Sequence, residues 1–109
     1  MKTELQNHVD SIAANLTSPP DEWNKGRDIE NEGEFGAFDY LQNSLDIEYI
    51  VNSKREYLGA RVLVAFGGPN IWVDTKRGIV EGFWWGDYAK ASFSDGLGLD
   101  EALSTLWEC

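Results

Sequence analysis

The sequence predicts an α+β domain: an N-terminal helix, an acidic loop, an antiparallel β-meander of four to five strands and a short C-terminal helix. Three observations lead to this class. Apolar residues recur at helical spacing near both ends of the chain. Between them, short apolar runs alternate with turn residues. The 109 residues are 42% hydrophobic, which is enough for one packed core, so we expect a single domain over residues 1–109.

The first helix is predicted over residues 3–17. Thr3 followed by Gln6 has the pattern of a capping box, in which two side chains satisfy free backbone groups at the helix start. Pro19-Pro20 ends the helix. Its apolar stripe consists of Leu5, Val9, Ile12, Ala13 and Leu16.

Residues 18–36 are rich in turn-forming and polar side chains, and we expect a loop that ends in a helical turn near Phe38, Tyr40 and Leu41. From this loop onward, a run of seven acids contains no base. These acids are Asp28, Glu30, Glu32, Glu34, Asp39, Asp46 and Glu48.

The three glutamates of this run alternate along the chain. An extended segment would therefore project Glu30, Glu32 and Glu34 on one side, about 6 to 7 Å apart. That spacing resembles consecutive phosphates of one DNA strand. The pattern favours a protein surface that mimics nucleic acid.

Five segments read as strands: residues 46–52, 59–66, 70–74, 79–85 and 88–93. The loop Thr75–Gly78 is predicted to have four residues, ending in a left-handed Gly78. Gly86-Asp87 is predicted as a two-residue hairpin turn that pairs Trp85 with Tyr88. The sequence Gly67-Gly68-Pro69 lacks the lysine of a phosphate loop and is interpreted as a turn between strands.

This pairing gives the sheet two different faces. The core face would carry Val80, Gly82, Trp84, Ala89, Ala91 and Phe93. The second face would carry Trp72, Phe83, Trp85 and Tyr88 among Asp74, Glu81 and Lys90. Two readings of it stay open: it is core, covered by a helix or by a second copy of the chain, or it is an interface for a partner.

The C-terminal helix is predicted to begin at Asp100 as its cap. Its apolar side chains, Leu103, Leu106 and Trp107, can cover the sheet.

No residue pattern indicates catalysis. The single histidine, His8, lies in the first helix, and the only cysteine is Cys109. No spacing matches a zinc or calcium site. We therefore expect no enzyme, no cofactor and no metal.

Charge and hydropathy narrow the class of partner. The net charge of −10 disfavours direct binding of nucleic acid. No apolar run is long enough to span a membrane, so we expect no membrane partner. The N-terminal residues lack the apolar region of a signal peptide and there is no disulfide framework, which together predict a cytoplasmic protein.

The stretch Gly67-Gly68-Pro69-Asn70-Ile71-Trp72-Val73-Asp74-Thr75, followed by Val80-Glu81-Gly82-Phe83-Trp84-Trp85-Gly86, resembles small orphan proteins carried by bacteriophages and plasmids. The resemblance covers about the last half of the chain. Some such proteins are anti-CRISPR or antirestriction inhibitors. The resemblance implies an inhibitor that acts in the host cell cytoplasm and binds a defence nuclease where DNA or guide RNA would lie.

The leading hypothesis is a non-enzymatic, stoichiometric inhibitor of a nuclease with a basic groove, with an RNA-guided CRISPR effector as the first target and a restriction enzyme as the next. The predicted partner-binding residues are the seven acids of the run together with Trp72, Phe83, Trp85 and Tyr88. Two alternatives remain: an immunity protein that neutralises a bacterial toxin, or a homodimeric structural or interaction domain.

Overall fold

The computed structural model describes residues 2–109 and confirms the α+β class. Its helices are α1 (Glu4–Thr17), α2 (Ile29–Glu32), α3 (Ala37–Gln42) and α4 (Leu99–Glu108), with a short 3₁₀ turn at Asp21–Asn24. Its strands are β1 (Asp46–Val51), β2 (Tyr57–Ala65), β3 (Asn70–Asp74), β4 (Ile79–Trp84) and β5 (Asp87–Ser92).

Helix α1 begins as its sequence predicts, but only half of the capping box forms. The Thr3 hydroxyl accepts a hydrogen bond from the Gln6 backbone N–H at 3.0 Å. The Gln6 side chain instead donates to Asp10 and to the Lys90 carbonyl at 2.9 Å. The first helix is thereby tied to the outer strand β5.

The strands form one antiparallel sheet in the order β1-β2-β3-β4-β5. The turn between β3 and β4 is the predicted four-residue loop, because Asp74 pairs with Ile79 and Gly78 has a φ of 67°. Gly67-Gly68-Pro69 lies between β2 and β3, as expected of a turn. A register shift just before it, between Leu63 and Ala65, marks a bulge in β2.

The predicted register of the last hairpin is wrong by two residues. Trp84 pairs with Asp87 and Phe83 pairs with Tyr88, so the turn is Trp85-Gly86. Both turn residues have positive φ, 53° and 84°, as in a type I′ turn. Because side chains alternate with a period of two, an even shift leaves every strand residue on its predicted face.

The sheet is covered by helices on one face. Helix α1 packs on β4 and β5, and α4 packs on β2. Gly82 shows how closely α1 approaches, since a Cβ there would lie 2.8 Å from side-chain atoms of Leu5 and Val9. The fully buried side chains of this layer are those of Val9, Leu16, Val62, Ile71, Val73, Val80, Leu99 and Leu103.

Two details of the connections differ from the prediction. The segment predicted as a loop over residues 18–36 contains the 3₁₀ turn and α2. The N-cap residue of α4 is Gly98 and not Asp100, and the side-chain cap comes from Asp95, whose carboxylate accepts from the N–H groups of Leu99 at 2.7 Å and Asp100 at 2.9 Å. The Asp100 carboxylate instead accepts from the Tyr57 hydroxyl at 2.7 Å.

Candidate protein-binding surfaces

The second face of the sheet carries no helix, since α1 and α4 both pack on the opposite side. We call it the open face and define it by the side chains that the strand register places there. They are Asp46, Glu48, Ile50, Arg61, Leu63, Asn70, Trp72, Asp74, Ile79, Glu81, Phe83, Tyr88, Lys90 and Ser92. Within residues 2–109, the face therefore stays free for a partner.

Three of the four predicted aromatic side chains lie on the open face. Phe83 and Tyr88 are exposed, with their ring centroids 5.1 Å apart. Trp72 is half-buried beneath Arg61, whose guanidinium carbon lies 4.3 Å from the ring centroid. This cation–π contact is supported by a hydrogen bond of 3.1 Å from Arg61 to Glu48.

The fourth aromatic, Trp85, does not belong to this face. It occupies the first position of the type I′ turn, where it is 91% exposed. Positive φ is unusual for a bulky side chain, and Asn or Gly is preferred at that position. Trp85 therefore stands at the tip of the hairpin, apart from Phe83 and Tyr88.

Two carboxylates are buried on the open face although no helix covers it. Asp74 is 2% exposed and Glu81 is 5% exposed. Arg77 links them: its backbone N–H and Nε both donate to Asp74 at 2.9 Å, and its terminal nitrogen donates to Glu81. The Tyr88 hydroxyl donates to the other Glu81 oxygen at 2.6 Å. Both carboxylates are thus satisfied by hydrogen bonds.

These contacts also change the acidity of the donors. The hydrogen bond to Glu81 raises the pKa of Tyr88, and the hydrogen bond to Asp74 raises the pKa of Arg77. Each group is therefore held in its hydrogen-bond-donating form. We interpret the network as a device that stabilises the sheet face and its turn.

The acidic run does not form the extended ladder that its spacing predicts. Ile29–Glu32 is a helical turn, with Asp28 as its N-cap and Gly33 as its C-cap. Successive residues of a helix are rotated by about 100°, so Glu30 and Glu32 point in nearly opposite directions. The predicted phosphate-like spacing of 6 to 7 Å is wrong for this segment.

The seven acids instead fall into three groups. Asp28, Glu30, Glu32 and Glu34 form an exposed segment around α2, which we call the α2 acidic segment. Asp39 is engaged locally, accepting from the Gly36 N–H at 2.9 Å and lying 3.6 Å from Arg27. Asp46 and Glu48 lie on the open face.

The α2 acidic segment keeps most of its charge. Within residues 2–109, its only ion pair joins Glu32 to Arg27 at 3.9 Å. Within the described residues 2–109, six of the 19 acids take part in ion pairs. The surface around α2 is therefore strongly negative.

One feature is missing from the sequence-based prediction: an aromatic cleft. Trp23 lies 5.1 Å from Phe35 and 5.8 Å from Tyr40 between ring centroids, and these rings border a cleft of about 340 Å³. Burial raises the pKa of Tyr40. Asn43, Ser44 and Val64 complete the lining. The signal for it was present, because Trp23 and Phe35 are large aromatics within an otherwise polar segment.

No helix among residues 2–109 combines the length and the apolar character needed to cross a bilayer. No family model matches this chain, and neither a curated protein nor a solved structure shows significant similarity to it.

Proposed function

We propose that this protein is a non-enzymatic, stoichiometric inhibitor that occupies the basic groove of a nucleic-acid-handling protein with its α2 acidic segment. One observation carries the proposal. Asp28, Glu30 and Glu34 are exposed and form no ion pair within residues 2–109, in a chain with a net charge of −10.

The physical basis is electrostatic. Unpaired carboxylates on a protein surface attract a positively charged groove and accelerate the encounter of the two molecules. A groove that binds nucleic acid is positive because it must neutralise phosphates. The helical turn at α2 replaces the extended ladder expected from the sequence, so the proposal rests on charge density and not on a regular phosphate-like spacing.

The first target to examine is an RNA-guided effector nuclease. Such an enzyme holds its guide–target duplex in a positively charged channel and recognises the duplex mainly through its backbone. A restriction enzyme offers a similar groove and is the next target. Both agree with the class of inhibitor that the sequence resembles.

The test is a DNA-cleavage assay with purified guide-loaded effector nucleases and restriction enzymes, titrated with this protein at low and high salt. We expect inhibition at stoichiometric amounts, weakening steeply as salt rises. Reversing charge at Glu30, Glu32 and Glu34 to lysine should abolish it. Full inhibition by that triple variant would refute the role of the α2 acidic segment.

A matched control separates the segment from the overall charge. Asp87, Glu101 and Glu108 are exposed acids outside the segment and form no ion pair within residues 2–109. Changing these three to lysine alters the net charge by the same amount, and we expect inhibition to persist. Equal loss in both triple variants would mean that only the total charge matters.

A further inference from the structure

We propose that the open face is a homodimer interface, on which a second copy of this chain packs face to face about a twofold axis parallel to β3. The proposal does not depend on the inhibitor function. It rests on the charge balance of the open face, on the order of side chains across the strands and on the apolar side chains exposed there.

The open face is nearly neutral in a strongly acidic protein. Of the 19 acids and nine bases of the chain, four acids and three bases have their charged groups on this face, which leaves 15 acids and six bases elsewhere. The four acids are Asp46, Glu48, Asp74 and Glu81, and the three bases are Arg61, Arg77 and Lys90. Two copies of the chain repel each other least when they meet through this face.

One row of side chains across the open face has self-complementary charges at its two ends. The strand register aligns one row across the whole sheet: Asp46, Leu63, Trp72, Glu81 and Lys90. The row has an acid at the β1 edge, a base at the β5 edge and Trp72 on the central strand. A twofold axis along β3 brings each Asp46 opposite Lys90 of the other copy, and Trp72 opposite its own copy.

The two end residues of this row are available for such a contact. Asp46 and Lys90 are exposed, and neither forms an ion pair within residues 2–109. They lie on opposite edges of the sheet, about 19 Å apart at a strand spacing of about 4.8 Å, so they cannot pair within one chain. Between two copies they can.

The open face also exposes apolar side chains to water, mainly beside the hairpin turn between β4 and β5. A sheet face exposed to solvent ordinarily carries polar residues at alternate positions. Here Phe83 and Tyr88 are exposed and Leu63 is half-exposed. A second copy would remove these side chains from water.

The area of the open face sets the affinity that we expect between two copies. Five strands of about six residues cover about 24 by 20 Å, which gives about 1,000 Å² of surface buried by two copies. This area lies at the lower end for specific interfaces, so we expect a dissociation constant that is roughly micromolar.

The experiment is sedimentation equilibrium of the purified protein from about 1 to about 500 µM at low salt, which spans a micromolar dissociation constant. We expect the mass to rise from 12.3 kDa toward twice that value with increasing concentration. Lys90→Glu and Asp46→Lys should each raise the dissociation constant of the dimer about tenfold, because the twofold axis places every substitution at two positions in the interface. The combined variant, with both charges exchanged, should regain most of the wild-type affinity.

Rescue by the exchanged pair is the decisive result, because only contact between Asp46 and Lys90 of different copies predicts it. Lys54→Glu, an exposed base in the turn between β1 and β2, makes the same charge change away from the face and should leave the dimer intact. A monomeric wild type at every concentration would overturn the proposal. So would equal weakening by Lys54→Glu, or a combined variant no tighter than the single variants.

Discussion

The two faces of the sheet carry different kinds of side chain, although they are built from the same strands. On the covered face the side chains at the centre of the sheet are small, with Ala60, Val62, Val80, Gly82 and Ala89 all buried. On the open face they are large or charged. A helix can approach a sheet closely only where the side chains between them are short, whereas a free face leaves room for aromatic rings and guanidinium groups.

The comparison also shows that burial does not require a covering helix. Asp74 and Glu81 are buried on the open face by their own neighbours, Arg77 and Tyr88, which lie across them. A buried charge is tolerated when hydrogen bonds and an opposite charge satisfy it. The covered face is held by apolar packing, and the open face by a hydrogen-bonded ion network.

The largest expected difference between the two faces is in the stability lost when a leucine is replaced by alanine. Leu103 is fully buried against the covered face, and Leu103→Ala should lower the free energy of unfolding by about 2–5 kcal/mol. Leu63→Ala on the open face should cost less, because Leu63 is only half-buried. Urea unfolding at low protein concentration measures both. Equal losses would show that the two faces are buried alike.

The ion network should give the next largest effect. Asp74→Ala removes a buried carboxylate that accepts from the backbone N–H and Nε of Arg77, and should lower the free energy of unfolding by about 1.5–3 kcal/mol. Asp46→Ala, on the same face but exposed and unpaired within residues 2–109, is the control and should change little. If both variants unfold at the same urea concentration, the network does not stabilise the open face.

Two tyrosines allow the faces to be compared at high pH. Tyr57 donates a hydrogen bond to Asp100 of helix α4, and Tyr88 donates one to Glu81 on the open face. Burial, together with the bond to Asp100, raises the pKa of Tyr57 above its ordinary value. A raised pKa contributes stability that is complete below about pH 10 and is lost as the pH rises through the folded pKa. At neutral pH, Tyr57→Phe should cost about 1 kcal/mol.

Thermal unfolding between about pH 8 and 11 tests this expectation. The melting temperature of the wild type should fall more steeply above pH 10 than that of Tyr57→Phe. Tyr88 is more exposed than Tyr57, so Tyr88→Phe should have the smaller effect on stability at neutral pH. Parallel curves for wild type and Tyr57→Phe would contradict the role assigned to Tyr57.

The smallest expected effect is a gain in stability, and it concerns the hairpin turn between β4 and β5. Trp85→Asn places the preferred Asn-Gly pair in the type I′ turn and should raise the free energy of unfolding by about 0.5 kcal/mol. Trp85→Ala keeps an unfavourable residue at positive φ and should bring no such gain. A stabilised Ala variant would mean that exposure of the ring, not the backbone, is the source of strain.

Local signals in the sequence were enough for much of the fold. The helical stripe of α1, the proline pair after it and the turn ending at Gly78 each depend on interactions within a few residues, and all three match the structure. The strand order follows from short connections between antiparallel neighbours. Even the misplaced hairpin turn kept the predicted faces, because alternation along a strand survives a shift of two residues.

The sequence by itself therefore determined the α+β class, the order of elements and which strand residues share a face. Tertiary structure decided that no helix within residues 2–109 covers the second face, that Asp95 caps α4, and that Trp23, Phe35 and Tyr40 form one cleft. It also decided that Glu30 and Glu32 lie in a helical turn and that Arg77 buries two carboxylates on the open face. The physical reason is common to these cases: each depends on contacts between residues or segments whose relative placement is set by packing, which hydrophobic periodicity does not encode.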